Sequence, residues 1–218
     1  MSDRPSPPGT APGEGRASGA APADASRRAA ARAALEVWPA AVGQLPAAQE
    51  QLRRRYLAHL ERPGSLERAG LPDHLTAGAL VLDPTGTRTL LVLHRRGGFW
   101  VQPGGHLEPG DGAPRDAALR ELLEETGLPA AAVDLSAHPA DLDHHQLSER
   151  FGRCRSHLDA AYLAVVDPGE HLAVSDESDD VAWWPLDALP DGAGGAPAVV
   201  QDLPARLSRA ARALRQRR

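Results

Sequence analysis

The pattern of apolar and polar positions changes character at Leu75. Before it, residues 29–60 are rich in helix-forming residues, and Leu52, Tyr56 and Leu60 recur four apart, which is typical of one helix face. After it, short apolar runs separated by Gly and Pro predict strands at 75–83, 89–95, 99–103, 156–166 and 181–184. Two further stretches, 114–126 and 203–218, predict helices. Strands and helices alternate without a regular βαβ repeat, which predicts an α/β protein built as an α/β/α sandwich around a mixed β-sheet.

Three regions follow from this pattern. Residues 1–27 are rich in Ala, Pro, Gly and Ser and predict a disordered tail. Residues 28–70 predict a helical N-terminal extension that Pro39 and Pro46 interrupt. Residues 71–218 predict the main domain, which closes with a basic amphipathic helix.

Composition narrows the class of protein. The net charge of −5 and the pI near 6.0 give no indication of nucleic-acid binding. No apolar run approaches the ~20 residues that span a bilayer, and one cysteine, Cys154, cannot form an internal disulfide. We therefore expect a cytoplasmic protein that binds neither membranes nor nucleic acid. The chain lacks Lys, so its 24 basic residues are all Arg, and arginine by itself does not indicate phosphate recognition here.

The chemistry is concentrated between Gly104 and Leu128, a stretch with six acidic residues. On a helix, Glu121, Glu124 and Glu125 share one face, where their like charges require a counter-charge. Hard divalent cations take oxygen ligands, so the stripe indicates a metal–diphosphate site. An acidic solvent-exposed face is the alternative, but a strand, a Gly-Gly turn and a loop before the stripe favour the metal site.

Residues 105–128 resemble the signature of the Nudix hydrolase family, G-x5-E-x7-R-E-U-x-E-E-x-G-U, where U is a bulky aliphatic residue. Gly105 matches the opening glycine, and residues 120–128 match the second half at every defined position. Two departures lie between them. Asp111 stands in place of the first Glu, and eight residues rather than seven separate it from Arg120.

The resemblance implies a Mg²⁺- or Mn²⁺-dependent hydrolase that cleaves a diphosphate linkage in a nucleoside diphosphate joined to another moiety. The implied metal ligands are the side chains of Glu121, Glu124 and Glu125 and a backbone carbonyl at Gly104 or Gly105. The implied catalytic residues are Glu121, Glu125 and Arg120, with Glu121 as ligand or base and Arg120 orienting a glutamate by an ion pair. The base can instead lie in a later loop, at Glu149, Asp176, Glu177, Asp179 or Asp180.

Two other functions stay open at this point. A Nudix-fold sensor would bind a nucleotide without turnover, but such sensors often lose the helical acids that are all present here. An isomerase of an isoprenyl diphosphate would need a cysteine before the helix, whereas Cys154 follows it, so we interpret Cys154 as an incidental thiol.

Candidates for substrate contacts are Trp100, His106 and Asp159. Trp100 either stacks on a base or packs in the core. His157 and Asp159 alternate along one strand and share a face, but no ligand spacing supports a His/Asp zinc site, and His74 is interpreted as an ordinary strand-end residue. The expected partner is a small nucleotide or diphosphate, and a homodimer is left open.

Overall fold

The computed structural model describes residues 20–148, 152–176 and 178–216. The helices are α1 (Ala20–Val42), α2 (Ala47–His59), α3 (Pro114–Thr126) and α4 (Leu203–Gln216). The strands are β1 (Asp73–Leu82), β2 (Arg88–His94), β3 (Phe99–Val101), β4 (Gly104–His106), β5 (Asp134–Gln146), β6 (Ser156–Val165) and β7 (Ser178–Pro185). Within these ranges, no helix has the length and apolar character that crossing a bilayer requires.

The strands form one mixed sheet in the order β3-β2-β1-β6-β5. β1 runs parallel to β6, and the other pairs are antiparallel. Strand β7 pairs with β2, and the short β4 pairs with the first half of β1, where Ala77 lies opposite Gly105. β1 is buried along almost its whole length because both faces of the sheet are covered.

Alternate residues of β1 point into two separate cores. Ala79 and Val81 pack with α1, α2 and α3 on one face of the sheet. Leu80 and Leu82 pack with α4 on the other face, where Leu207 is among the buried residues. These two layers of helix around a mixed sheet confirm the predicted α/β/α sandwich.

The N-terminal extension begins earlier than the sequence predicted. α1 starts at Ala20, so residues 20–27 are helical rather than part of a disordered tail, while residues 1–19 lie outside the described ranges. Buried Trp38 anchors this helix on the sheet. The helix also continues through Pro39, which cannot donate to the Leu35 carbonyl, and Arg53 Nη1 donates to that carbonyl instead at 3.4 Å.

Two strands were missed by the sequence patterns. Strand β4 was predicted as part of a glycine-rich loop, because Gly104 and Gly105 carry no side chain to pack. Strand β5 contains Pro139 and polar positions such as Asp141 that obscure the alternation expected of a strand. Asp141 is nevertheless fully buried, because Arg206 of α4 pairs with it.

Candidate active site

An open cleft of about 1330 Å³ lies where α3, β4 and the ends of β1 and β6 meet. One wall carries carboxylates and the opposite wall carries imidazoles. The ionisable residues lining it include Arg68, His106, Arg120, Glu121, Glu124, Glu125, His145, Cys154, His157, Asp159 and Asp176.

Helix α3 positions the carboxylates. Pro114 occupies its first turn, and Gly127 ends it in the left-handed conformation at φ 70°, as the sequence predicted. Ala118 and Leu122 are buried in the core, and this packing fixes the rotation of the helix. The three glutamates consequently reach the cleft.

The glutamates differ in exposure. Glu125 is 8% exposed and its Oε2 accepts a hydrogen bond from the Gly104 backbone amide at 2.9 Å. The side chain of Glu124 is 60% exposed, and that of Glu121 is 14% exposed. A cation held among them would therefore sit between a buried carboxylate and one that faces the open cleft.

Gly105 allows the closest approach in the site. A Cβ placed on Gly105 would lie 2.4 Å from Glu121 Oε1, well inside van der Waals contact. A side chain at position 105 would therefore displace the Glu121 carboxylate, so the placement of Glu121 against strand β4 depends on glycine at this position. Carboxylate oxygens gathered against exposed backbone form the oxygen-rich donor set that Mg²⁺ and Mn²⁺ prefer, so the residues fit such an ion.

Arg120 is the cation at the centre of this arrangement. Its Nη1 donates to Glu121 Oε1 at 3.1 Å and to Glu124 Oε2 at 3.0 Å. Its other nitrogens donate to the Asp111 carboxylate at 3.1 and 2.9 Å and to the His106 carbonyl at 3.0 Å. The hydrogen bonds that Arg120 donates to the Asp111 carboxylate raise the pKa of Arg120 above its ordinary value, so this charge is permanent.

Asp111 locks the loop that precedes α3. Besides pairing with Arg120, its Oδ2 accepts the Glu108 backbone amide at 2.7 Å. Gly112 and Ala113 complete this loop before α3 begins at Pro114, and the extra residue between Asp111 and Arg120 leaves the spacing of the helical carboxylates unchanged.

Arg27 of α1 braces the same loop, and sequence reasoning missed it. Its Nε donates to the Asp111 carbonyl at 2.9 Å, and its Nη2 donates to the Glu108 carbonyl at 2.6 Å. Its Nη1 pairs with Glu67 at 2.7 Å. Arg27 lies in the segment predicted as a tail, and no local signal in that segment points to a contact so distant along the chain.

Trp100 does not line the cleft, which corrects its expected role in substrate binding. It is 5% exposed and lies in the core beneath α4, where its ring meets Trp184 edge-on at a centroid distance of 5.3 Å. The alternation along β3 places Trp100 on the opposite face from Phe99 and Val101, but it could not show which of the two faces meets the cleft. Phe99 and Val101, from the same strand, border the cleft instead.

Asp159 borders the cleft, but its carboxylate is engaged. Oδ2 accepts from Arg206 Nη2 at 2.7 Å and from Gln102 at 3.3 Å, and Oδ1 accepts from Thr76 at 3.1 Å. Burial would lower the pKa of Arg206, but the charges of Asp159 and Asp141 outweigh it and raise that pKa. Asp159 is therefore one of the buried counter-ions of α4.

Three imidazoles and one thiol meet on the opposite wall. The rings of His74, His106 and His157 lie 5.0–5.1 Å apart, centroid to centroid, and Cys154 Sγ lies 3.9 Å from His106 Nε2. Burial is the main cause that lowers the pKa of His106 to about 4 and that of His157 to about 3. The sequence offered no ligand spacing for this group, because the parallel register that sets His74 opposite His157 is not visible in it.

The later acidic residues separate into groups. Asp176 borders the cleft. Asp179 pairs with Arg95 at 2.8 Å, and Asp180 Oδ1 accepts the Val181 amide at 2.8 Å, so both carboxylates are used in the strand region. Residues 149 and 177 lie outside the described ranges.

The pattern of the NUDIX domain matches residues 72–203, more than half of the chain. The chain belongs to the Nudix family. The match begins just before β1 and ends at the start of α4, so it contains both the carboxylate wall and the imidazole wall of the cleft.

Similar curated proteins match only short segments of the chain. An octanoyltransferase of Myxococcus xanthus is 56% identical over 50 residues, 22% of this chain and 14% of that protein. A putative 8-oxo-dGTP diphosphatase of Bacillus subtilis is 42% identical over 57 residues, 26% of this chain and 38% of that protein. The chain thus spans well under half the length of these curated relatives. A C. elegans Ap4A hydrolase structure shares the Nudix fold, with a TM-score of 0.51 and 19% identity over 65% of this chain and 98% of that one.

Proposed function

We propose that this Nudix protein is a Mg²⁺- or Mn²⁺-dependent hydrolase that cleaves a diphosphate linkage in a nucleoside diphosphate joined to another moiety. The observation that carries the proposal is that Glu121, Glu124 and Glu125 all line one cleft, with the Glu121 carboxylate so close to Gly105 that a Cβ there would displace it. The name of the Bacillus relative, a diphosphatase of a nucleotide, is in keeping with this chemistry.

The metal ligands would be the three glutamate side chains and the Gly105 carbonyl. A divalent ion bound there neutralises the diphosphate, orients it and lowers the pKa of the attacking water. Glu125 is held in place by the Gly104 amide, so it needs little rearrangement to act as a ligand. Glu124 is exposed and supplies the side of the site that opens to the substrate.

Arg120 acts as a positioning residue. It holds Glu121 and Glu124 through one nitrogen while Asp111 fixes the rest of the guanidinium, so the carboxylates are oriented before a ligand arrives. Its charge also reduces the repulsion among three carboxylates on one helix face.

Glu121 would serve both as a ligand and as the base in this proposal: one carboxylate oxygen would bind the ion, and the other would accept the proton of the attacking water. Asp176, which also lines the cleft, is the alternative base. The variants Asp176→Asn and Glu121→Gln separate the two. If Asp176 is the base, Asp176→Asn loses turnover while it still binds Mn²⁺. If Glu121 is the base, Asp176→Asn keeps turnover, and Glu121→Gln loses both turnover and Mn²⁺ affinity.

A screen of nucleoside diphosphate conjugates tests the function. Purified protein is incubated with Mg²⁺ or Mn²⁺ and with ADP-ribose, sugar nucleotides, dinucleoside polyphosphates or oxidised nucleoside triphosphates, and released nucleoside monophosphate or phosphate is measured. We expect turnover of at least one class that a chelator abolishes. Tight binding of a nucleotide without product from any class would instead support the sensor.

The expected partner is a small nucleotide in the cytoplasm, in keeping with a net charge of −5. Light scattering on the purified chain decides whether it is a monomer or the homodimer that the sequence left open.

A further inference from the structure

The imidazole wall of the cleft contains nitrogen and sulfur donors that could bind a metal ion different from the one expected at the carboxylates. His74, His106, Cys154 and His157 each offer one ligand atom, and all of these atoms lie within 4.8 Å of one another. They come from four segments: β1, β4, the stretch before β6, and β6 itself. His74 and Cys154 are buried, so this grouping is not a chance cluster on an exposed surface.

Hydrogen bonding leaves ring nitrogens of this cluster available as ligands. His74 Nδ1 donates to the Leu71 carbonyl at 2.9 Å, because a carbonyl can only accept, and the neutral ring therefore carries its lone pair on Nε2. That Nε2 is buried, and so is His157 Nε2, and neither has a hydrogen-bond partner among the described residues. Unpartnered buried nitrogens are rare in proteins and call for an unseen partner. A carbonyl behind a ligating histidine is also the usual support of such ligands.

We propose that His74, His106, Cys154 and His157 bind one Zn²⁺ ion. Nitrogen and sulfur donors select zinc over magnesium, and a set of four protein ligands is typical of structural zinc sites. In a tetrahedral site, ligand atoms are separated by about 3.3–3.8 Å, as Zn–N and Zn–S distances of about 2.0–2.3 Å require. The 3.9 Å between Cys154 Sγ and His106 Nε2 is already near that range, and small side-chain rotations close the longer separations.

Binding changes the charge of the cluster in a defined way. The Cys154 S–H bond breaks, a Zn–S bond forms, and the proton passes to solvent, which leaves a net charge of +1 on the ion and its thiolate. Arg68, whose charge acts on all three imidazoles, disfavours additional positive charge there. The negative charge of the thiolate thus reduces the repulsion between the dication and Arg68.

The role of this ion would be to fasten β4. His106 directly follows Gly105, so a zinc ion joining it to His74 and His157 would tie the strand beneath the carboxylate site to β1 and β6. The site is separate from the carboxylate site in position and in ligand chemistry. The zinc proposal therefore does not depend on the proposed hydrolase activity.

Titration of the full-length, chelator-treated protein with Co²⁺ and Zn²⁺, in a large excess of Mg²⁺, tests the site. We expect one Co²⁺ per chain with a thiolate-to-cobalt charge-transfer band and the intense visible bands of a four-coordinate ion, and Zn²⁺ should bleach both. Co²⁺ bound without a thiolate band, or no Co²⁺ bound in excess Mg²⁺, would overturn the proposal. This readout on the unaltered protein does not depend on whether any variant folds.

Variants then assign the ligands. Cys154→Ser should abolish the charge-transfer band, and His157→Gln should weaken Zn²⁺ binding by at least ~10-fold. His171→Gln, an exposed histidine, and Glu124→Gln, in the carboxylate site, should leave both the band and the stoichiometry unchanged. Equal Zn²⁺ affinity in Cys154→Ser and the unaltered protein, or its loss in Glu124→Gln, would contradict the assignment.

Discussion

Two polar clusters lie on either side of the three-residue strand β4, and they are opposites in chemistry. On the α3 side, charged carboxylates surround a permanent cation, Arg120, next to Gly104 and Gly105. On the β6 side, imidazoles whose pKa values are lowered by burial lie next to a thiol, and His106 of β4 itself takes part. One short strand therefore separates hard oxygen donors from borderline nitrogen and sulfur donors, so that each cluster suits a different metal.

A buried ion-pair network lies next to the imidazole cluster. Asp159, which borders the cleft, and Asp141 are counter-ions of Arg206 of α4. Perturbing each cluster and this network separately shows whether they are independent, and the expected effects fall in the following order.

Arg206→Met should have the largest effect. It leaves the buried carboxylate of Asp159 without its cation and leaves Asp141 paired only with Arg209, which costs about 3–5 kcal/mol of unfolding free energy. Urea unfolding at neutral pH measures this loss. The matched control, Arg212→Met on the exposed face of α4, should stay within about 0.5 kcal/mol. Equal stabilities of the two variants would show that the buried network contributes nothing.

Glu124→Gln breaks the carboxylate cluster alone. Because Glu124 is exposed, the fold should persist, while metal-dependent turnover should fall by at least ~100-fold. Steady-state kinetics in saturating Mn²⁺, with circular dichroism as a check on folding, measures this. Glu36→Gln, an exposed carboxylate on α1, should retain full activity. Full activity in Glu124→Gln would refute its role as a ligand.

Much of the carboxylate side could be predicted from the sequence, because its geometry is local. Three glutamates within five residues of one helix share a face whatever the tertiary structure, and Pro114 and Gly127 mark where that helix begins and ends. The two cores could likewise be anticipated from the apolar strands.

The imidazole side could not be predicted, because its geometry depends on strand register. His74 and His157 are neighbours only through the parallel pairing of β1 with β6, and β4 itself was not foreseen. Strand β5 was missed for a related reason: the partner that makes its buried Asp141 acceptable, Arg206, lies 65 residues away. Contacts of this kind leave no periodic signal in the chain.

Acid should act on the imidazole side of the metal-free protein. Burial lowers the pKa values of His106 and His157 to about 4 and 3, whereas the unfolded chain keeps ordinary values near 6.5. Between these limits the unfolded chain binds more protons, so stability is retained above pH ~6.5 and falls as the pH decreases below it.

Urea unfolding in the presence of a chelator, at pH 7.5 and 5.5, should show a loss of about 2 kcal/mol at the lower pH. His157→Gln should reduce that loss, and His171→Gln should not change it. If the double variant His106→Gln/His157→Gln lost as much stability between pH 7.5 and 5.5 as the unaltered protein, the groups that titrate would have to be others.

Arg27→Lys should have the smallest effect, and it tests whether the N-terminal extension stabilises the loop before α3. Lysine keeps the charge but cannot donate to the Glu108 and Asp111 carbonyls and to Glu67 at once, so we expect a loss of about 1 kcal/mol in stability. Calorimetric Mn²⁺ titration should show binding weakened by ~10-fold or less. Arg28→Lys, whose partners lie away from the loop, is the control and should leave Mn²⁺ affinity unchanged.

The most direct test of the account is a crystal soaked with Mn²⁺ and a non-hydrolysable nucleoside diphosphate analogue, with the anomalous signal of manganese recorded. We predict an anomalous peak at about 2.0–2.3 Å from carboxylate oxygens of Glu121, Glu124 and Glu125. The same manganese ion should also contact oxygens of the diphosphate. Bound analogue with no manganese beside these glutamates, or manganese bound only among the histidines, would contradict it.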